Sequence, residues 1–359
     1  VEAIERLYKA NFDYESALYE NRSDPKVNNL LEHLFFFCSD KKEALLTNNS
    51  YSDEYLEYIK KATGFKNQTR KTGNFLNWWG DLTDLEKEKE LNSKLTSLEI
   101  SKLLNSNASS AEEINKIEDI RPLLKKYGEV FLRTPYERSG RKNLILLSLE
   151  DLEKNTQQIE KLLEASPLLV EKNHKKRDFD LGSTFEEIAG EFKLSFQIKN
   201  LNDSKGVFRG GVLLKTHLGQ IELKKIAKEY YNRGARERLQ IDSFRFEENW
   251  NWLCEVNYRK TMGLVVKKLS RLCPPSNETA LLVTPSSWLK KYSSLSELCH
   301  SLEEIDGVFP LSPIESPVKF WLVTAADINK LYEEVVNWWA VIALKGRKLP
   351  SVFSKIITD

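Results

Sequence analysis

Residues 241–269 read IDSFRFEENWNWLCEVNYRKTMGLVVKKL. Ile241-Asp242-Ser243-Phe244-Arg245-Phe246 alternates apolar and polar side chains, the pattern of a half-buried strand. A polar turn is expected at Glu247-Glu248-Asn249, and a second strand over Trp252-Leu253-Cys254-Glu255-Val256-Asn257. A helix-compatible stretch follows over 261–269. If the strands pair across the turn, Asp242 approaches Glu255 and Asn257, which are two apart and so project from one strand face. Two carboxylates and an amide oxygen are hard ligands that suit Mg2+ bound together with nucleotide phosphates. Arg259, two residues further on, would then approach a charge developing beside the metal. The same spacing also fits a surface hairpin with charged outward positions.

Glu255-Val256-Asn257-Tyr258-Arg259, with Asp242 on the preceding strand, resembles the metal-binding end of the ATP-grasp superfamily. The continuation Thr261-Met262-Gly263 narrows the resemblance to a bacterial group of that superfamily with largely undefined substrates.

Composition sets the outer bounds. A chain of 359 residues is long for one core, so two or three domains or subdomains are expected. An apolar fraction of 41%, with 17 Phe, 13 Tyr and 8 Trp, supplies an ample interior. A net charge of +1 argues against a generally basic nucleic-acid binder. Cys38, Cys254, Cys273 and Cys299 lack CxxC spacing and sit among apolar neighbours, which reads as buried, reduced thiols in a cytoplasmic protein. His33, His174, His217 and His300 have no metal-ligand spacing. The longest apolar run, at 338–344, is too short to span a bilayer. No signal peptide is visible, and a start without Met leaves room for an upstream segment.

Taken in order, residues 1–80 alternate short strand and helix signals. Leu34-Phe35-Phe36-Phe37-Cys38 is a candidate buried strand, and 52–62 and 82–104 are candidate helices. Residues 114–127 form a further helical stretch that Gly128 can end. An apolar strand at 129–133 then feeds Thr134-Pro135-Tyr136-Glu137-Arg138-Ser139-Gly140-Arg141-Lys142, a Ser-Gly turn among basic residues. Backbone N–H groups of such a turn can face phosphate oxygens, as can an arginine fork, although a surface hairpin turn would look similar. Residues 148–165 read as a helix capped by Ser148 and stopped before Pro167. Leu168-Leu169-Val170-Glu171-Lys172 is a strand entering a linker. Residues 185–188 and 192–198 pair as strands about Gly190, and 219–231 is an amphipathic helix. Beyond Pro275 the signals run strand (280–284), helix (288–302), strand (319–323), helix (325–344), with Trp338-Trp339 read as a core or docking anchor.

In the ATP-grasp group, residues 131–141 resemble a strand Lys followed by Pro and a Ser-Gly-Arg-Gly phosphate loop, with Arg133 at the Lys position and Lys142 at the last Gly. The resemblance implies that Arg133, Ser139, Gly140 and Arg141 position the triphosphate. It implies that Glu171 reads the base or ribose edge, and it matches Asp178-Phe179 to the group's Asp-Phe stretch beside the nucleotide. Gly206-Val207-Phe208-Arg209-Gly210-Gly211 resembles a glycine loop that closes over phosphate or an acidic substrate. Asn11-Phe12-Asp13-Tyr14-Glu15-Ser16-Ala17-Leu18 is an altered form of the group's early Asn-Pro-Glu motif, without its Pro, and Trp78-Trp79-Gly80-Asp81 matches its Trp-Gly turn.

The implied fold class is α/β plus α+β. An N-terminal open α/β domain (1–120) is followed by a two-lobed ATP-grasp domain (121–275) and a C-terminal α/β extension (276–359), which could serve as a protein-partner surface. The implied activity is an ATP- and Mg2+-dependent carboxylate-amine or carboxylate-thiol ligase. Its metal ligands would be Asp242, Glu255 and Asn257, and Arg259 and Arg209 would act on the acylphosphate or the acceptor carboxylate. Arg133 and Lys142 also admit an alternative, a decayed grasp fold that serves as a nucleotide-binding or interaction scaffold.

Overall fold

The computed structural model describes residues 4–20, 22–66, 68–105, 111–136, 143–174, 177–203, 206–288, 292–343 and 347–357. The first region is an open parallel sheet. It contains β1 (Arg6–Lys9), α1 (Tyr14–Glu20), α2 (Pro25–Leu31), α3 (Phe35–Cys38), β2 (Glu43–Leu46), α4 (Asp53–Thr63), β3 (Gln68–Arg70) and β4 (Leu76–Asn77). Strand order is β3-β2-β1-β4, so the order reverses between β1 and β4. In open α/β sheets the crevice at such a reversal is where ligands bind. The loops after β1 and β4 are stitched across it. Asn11 donates to the Gly80 carbonyl at 2.8 Å and accepts from the Trp79 amide at 2.8 Å.

Residues 34–38 are helical, not the expected strand. A run of four or five apolar residues cannot be told from a buried helical turn by periodicity, and Phe35, Phe36 and Phe37 are all buried. The expected helix over 82–104 is two, α5 (Leu85–Asn92) and α6 (Lys94–Leu104). Ser93 separates them with an extended backbone, and its side chain caps α6 by accepting from the Leu95 amide.

A small antiparallel sheet, order β5-β8-β6-β7, comes next. It contains β5 (Glu112–Ile114), α7 (Ile120–Tyr127), β6 (Val130–Arg133), β7 (Leu144–Leu146), α8 (Leu149–Lys154), α9 (Thr156–Ala165) and β8 (Leu168–Lys172). Ser148 caps α8 as expected, although the helix breaks at Asn155 before α9. Helices α7, α8 and α9 cover one face, packed on Val130, Leu132, Leu168 and Val170.

The remainder builds one antiparallel eight-stranded sheet, order β13-β12-β9-β10-β11-β14-β16-β15. Its elements are β9 (Arg177–Ile188), β10 (Glu191–Asn202), β11 (Phe208–Leu213), α10 (Gln220–Asn232), β12 (Arg238–Phe246), β13 (Asn249–Asn257), α11 (Met262–Leu269), β14 (Glu278–Pro285), α12 (Leu295–Ser301), β15 (Val308–Pro310), β16 (Val318–Ala325), α13 (Ile328–Ile342) and α14 (Ser351–Ser354). Helices α5, α6 and α10 pack on one face of the β12–β13 half. The expected glycine loop at 206–211 is largely strand, since β11 starts at Phe208. The helix expected over 288–302 is confined to α12.

The C-terminal strands β14, β16 and β15 continue this sheet through the β11–β14 pairing. They also share a core with the first region, where the Tyr55 hydroxyl donates to the Leu311 carbonyl at 2.5 Å. Trp338 and Trp339 are buried beside Trp321, so they are core anchors. The four cysteines are free thiols, but Cys254 and Cys299 are only half-buried, against the expectation of four buried ones. Among the described residues no helix is long and apolar enough to cross a membrane.

Candidate active site

The hairpin of β12 and β13 carries the site. Its turn is tighter than the sequence suggested. Phe246 pairs with Asn249, so only Glu247 and Glu248 remain between the strands. Both have positive φ, 47° and 65°, as a two-residue hairpin turn that follows strand twist requires. Further along, Asp242 lies opposite Glu255 whereas Phe244 lies opposite Asn251. The second strand therefore carries a bulge between Asn251 and Glu255, and it is pinned by Ser243 Oγ donating to the Trp252 carbonyl at 2.8 Å. Bulges re-aim side chains beside functional sites. Here the bulge turns Cys254 towards the small sheet.

The three expected metal ligands converge. Asn257 Nδ2 donates to Asp242 Oδ2 at 2.8 Å, and Gln240 Nε2 donates to Asp242 Oδ1 at 2.7 Å. Gln240 is itself held by Thr261 Oγ1, which donates to its Oε1 at 2.5 Å. Gly263 leaves room for it, since a Cβ there would stand 2.6 Å from Gln240 Oε1 and displace that amide. Burial, and then the facing Glu255 carboxylate, push the Asp242 carboxyl up to about 7. Burial works in the same direction on Glu255, but Lys94 and then Arg133 hold it below the ordinary carboxylate range. Lys94 Nζ is 3.2 Å from Glu255 Oε2. Two facing carboxylates with one ionisation suppressed are the setting that a cation relieves, and the donor set of two carboxylates and an amide oxygen fits Mg2+. Among the described residues no group of three His, Cys, Asp or Glu side chains is placed to hold a metal. A cation here would therefore take Asn257 as its third protein ligand, with oxygens brought by a nucleotide completing its shell.

The small sheet faces this corner. Phe131 pairs with Glu171 and Arg133 with Leu169, and these four alternate with the residues packed on α7–α9. They therefore occupy the face turned away from α7–α9, where Leu169, Glu171 and Arg133 are buried and Ile145, opposite Phe131, is 51% exposed. Arg133 reaches across to β13, with Nη1 3.5 Å from the Cys254 carbonyl and 3.3 Å from its Sγ. Its Nε is 3.3 Å from Glu171 Oε1, and both side chains are buried. The contact is a charge pair and not an aligned hydrogen bond. Burial opposes the Arg133 charge, but Glu171 overrides it and raises the pKa. The residues expected to grip phosphate and base edge thus grip each other.

Between the lobes, the Arg177 guanidinium lies 3.7 Å from the Phe244 ring centroid, and the His174 ring lies 4.0 Å from that of Phe246. Asp178 is exposed and accepts from Arg245 Nε at 3.1 Å. Arg259 pairs with Glu15 of α1, donates to the Lys260 carbonyl at 3.0 Å and sits over the Trp79 ring. This joins the β1–β4 crevice to the end of β13. Arg209 stands on β11 and pairs with Asp203 at 2.9 Å. With β9 and β10 between, it is about 14 Å across the sheet from β12. Ser139, Gly140 and Arg141, with Lys142, lie outside the described residues.

Sequence reading missed Gln240, Cys254 and Lys94 as parts of this corner. Gln240 was accessible, since it sits two before Asp242 on the same strand face. Lys94 carried no signal, because a lysine opening a charged helix looks like a solvated face.

Solved structures match the chain over nearly its whole length. The biotin carboxylase domain of 2-oxoglutarate carboxylase from Hydrogenobacter thermophilus, in complex with MgADP, ADP and bicarbonate, superposes with a TM-score of 0.59 at 12% identity. The match covers 98% of this chain and 88% of that one. N5-carboxyaminoimidazole ribonucleotide synthetase from Thermus thermophilus gives 0.56 at 12% identity, over 96% and 100%. The Staphylococcus aureus N5-carboxyaminoimidazole synthetase gives 0.56 at 9%, over 94% and 98%. No family model and no curated protein matches the sequence. The architecture is therefore an open α/β domain joined to two antiparallel sheets that face one another. That is the ATP-grasp fold, as the resemblance at residues 241–263 implied.

Proposed function

We propose that this chain is an ATP- and Mg2+-dependent ligase that joins a carboxylate to an amine (or a thiol) through an acylphosphate. The observation that carries the reading is the convergence of Asp242, Glu255 and Asn257 on one corner of the large sheet, directly across from Arg133 of the small one. Magnesium, when bound there, would neutralise phosphate charge and the charge developing in transfer. Asp242 and Glu255 would hold it through carboxylate oxygens and Asn257 through Oδ1, since its Nδ2 is already spent on Asp242. Arg133 supplies a planar donor fork to the triphosphate side of the cleft, and Ser139, Gly140 and Arg141 are proposed to continue that surface. Glu171 and the 172–178 connection are proposed to meet the base and ribose, with Phe244 and Phe246 as the apolar floor. Arg259, at the mouth of the β1–β4 crevice, is proposed to bind the acylphosphate or the acceptor carboxylate. Arg209 is proposed as a more distant contact for an acidic substrate.

The Arg133–Glu171 pair supports a second reading, a scaffold that keeps the clasp but does not turn over. In that case the pair would stay closed in the presence of nucleotide. The test is phosphate release from ATP across a panel of carboxylates and amines, with Mg-ADP thermal shift in parallel. The ligase reading expects stabilisation by Mg-ADP, release that depends on a carboxylate, and loss of both in Asp242→Ala. Stabilisation without turnover favours the scaffold. No stabilisation by Mg-ADP rejects the ligase and a nucleotide-binding scaffold and leaves an interaction scaffold, because a ligand selective for the native state must raise apparent stability.

A further inference from the structure

Lys94 is in a poor place for a lysine. It is the first residue of α6, where the helix dipole disfavours a cation. It is also buried, at 8% exposure, where an ammonium is costly unless it is paired. Nothing about α6 requires it, since Ser93 already caps the helix. The Lys94 backbone amide donates to the Pro135 carbonyl at 3.2 Å, which fixes the helix start against the exit of β6. The side chain then runs to Glu255 Oε2 at 3.2 Å. Two unfavourable placements kept together at a functional corner indicate a role in the site and not in the fold.

We propose that Lys94 is a built-in counter-cation of the metal corner, competing with the divalent ion for Glu255 and sharing the neutralisation of nucleotide phosphates. It is a positioning residue that acts through Glu255. The ammonium is fixed on one carboxylate oxygen before any ligand arrives. A divalent cation entering the corner is repelled by it and must share Glu255 with it, whereas an anion is attracted by it. Removing the charge should therefore move the two affinities in opposite directions. Loss of a merely structural contact would weaken both.

This inference rests on the corner being a nucleotide and metal site, and the experiment separates the two claims. Calorimetric or spin-resonance titration of the full chain is carried out with Mn2+ alone, and with ADP in the presence of a chelator. The wild type is compared with Lys94→Met, Lys94→Gln and Lys94→Arg. For both neutral variants, Mn2+ binding is expected to tighten on the order of tenfold and metal-free ADP binding to weaken on the order of tenfold, with Lys94→Arg close to wild type. Lys94→Gln retains a hydrogen-bond donor to Glu255 and keeps the test open if Lys94→Met does not fold. Wild type that binds both ligands, with neutral variants that shift both affinities the same way or neither, overturns the role of Lys94 and leaves the site standing. Wild type that binds neither ligand overturns the site and Lys94 with it.

Discussion

The two faces of the cleft solve the burial of charge in opposite ways. On the small sheet, Arg133 and Glu171 are both buried and neutralise each other at 3.3 Å. On the large sheet, Asp242 and Glu255 face each other as like charges, and the ionisation of Asp242 is suppressed to about 7. The first face is charge-balanced without a ligand. The second is incomplete, because Lys94, Arg133 and Arg259 hold Glu255 ionised while the Asp242 carboxyl is still pushed up. A polar cluster that costs stability in the free protein marks function more reliably than one that is internally neutralised.

The largest effect should come from breaking the balanced face. Glu171→Ala removes the nearest counter-ion of buried Arg133 and leaves it only Glu255, which should lower unfolding free energy by about 3 kcal/mol, read from the denaturant midpoint. The double variant Arg133→Met with Glu171→Leu should recover most of that loss. A Glu171→Ala protein as stable as wild type would remove the distinction between the faces.

The opposite sign is expected on the other face. Asp242→Asn removes a like-charge contact, with its new Nδ2 donating to an Asn257 amide turned to accept through Oδ1, and should stabilise the free protein by about 1–2 kcal/mol at pH 8 while abolishing metal-dependent nucleotide binding. Destabilisation together with unchanged Mg-ADP affinity would contradict the assignment.

Glu88 offers a third arrangement, a buried carboxyl that accepts a hydrogen bond from the Tyr14 hydroxyl. Burial pushes it up to about 7, with Asp81, Asp84 and Glu237 adding to the rise and the Tyr14 bond opposing it. A raised folded-state pKa means that the stabilising contribution is fully present below about 4.5 and is lost as pH rises through about 7. Glu88→Gln should therefore gain on the order of 1–2 kcal/mol over wild type at pH 8 and almost nothing at pH 4.5. Melting curves at the two pH values check this, and a gain that is equal at both would assign it to packing.

The smallest effect concerns the turn that sets the hairpin register. Glu248 has a φ of 65°, which costs little for glycine and more for a side chain. Glu248→Gly should raise stability by about 0.5–1 kcal/mol without changing ligand affinity.

Strand alternation made Glu255 and Asn257 legible as neighbours on one face, but the two-residue turn alone would set Asp242 opposite Leu253, and it is the bulge that shifts it to Glu255. The bulge that brings Cys254 to Arg133 was not legible, since inserted residues leave no mark in a period-two pattern. The misread strand at 34–38 and the breaks at Ser93 and Asn155 share a cause. Local periodicity does not report where tertiary packing bends a helix or coils an apolar run. Pairings between distant segments, such as Glu15 with Arg259 and Lys94 with Glu255, depend on how the lobes are brought together and had no local signal.

The most direct test of the central claim is a crystal structure with Mn2+ and ADP, using the anomalous signal of the metal. The account predicts a peak bridging the phosphates and the oxygens of Asp242, Glu255 and Asn257, at about 2.2 Å from each ligand atom. Bound ADP with its metal held elsewhere, or with Asn257 Oδ1 turned away from the metal, would contradict it.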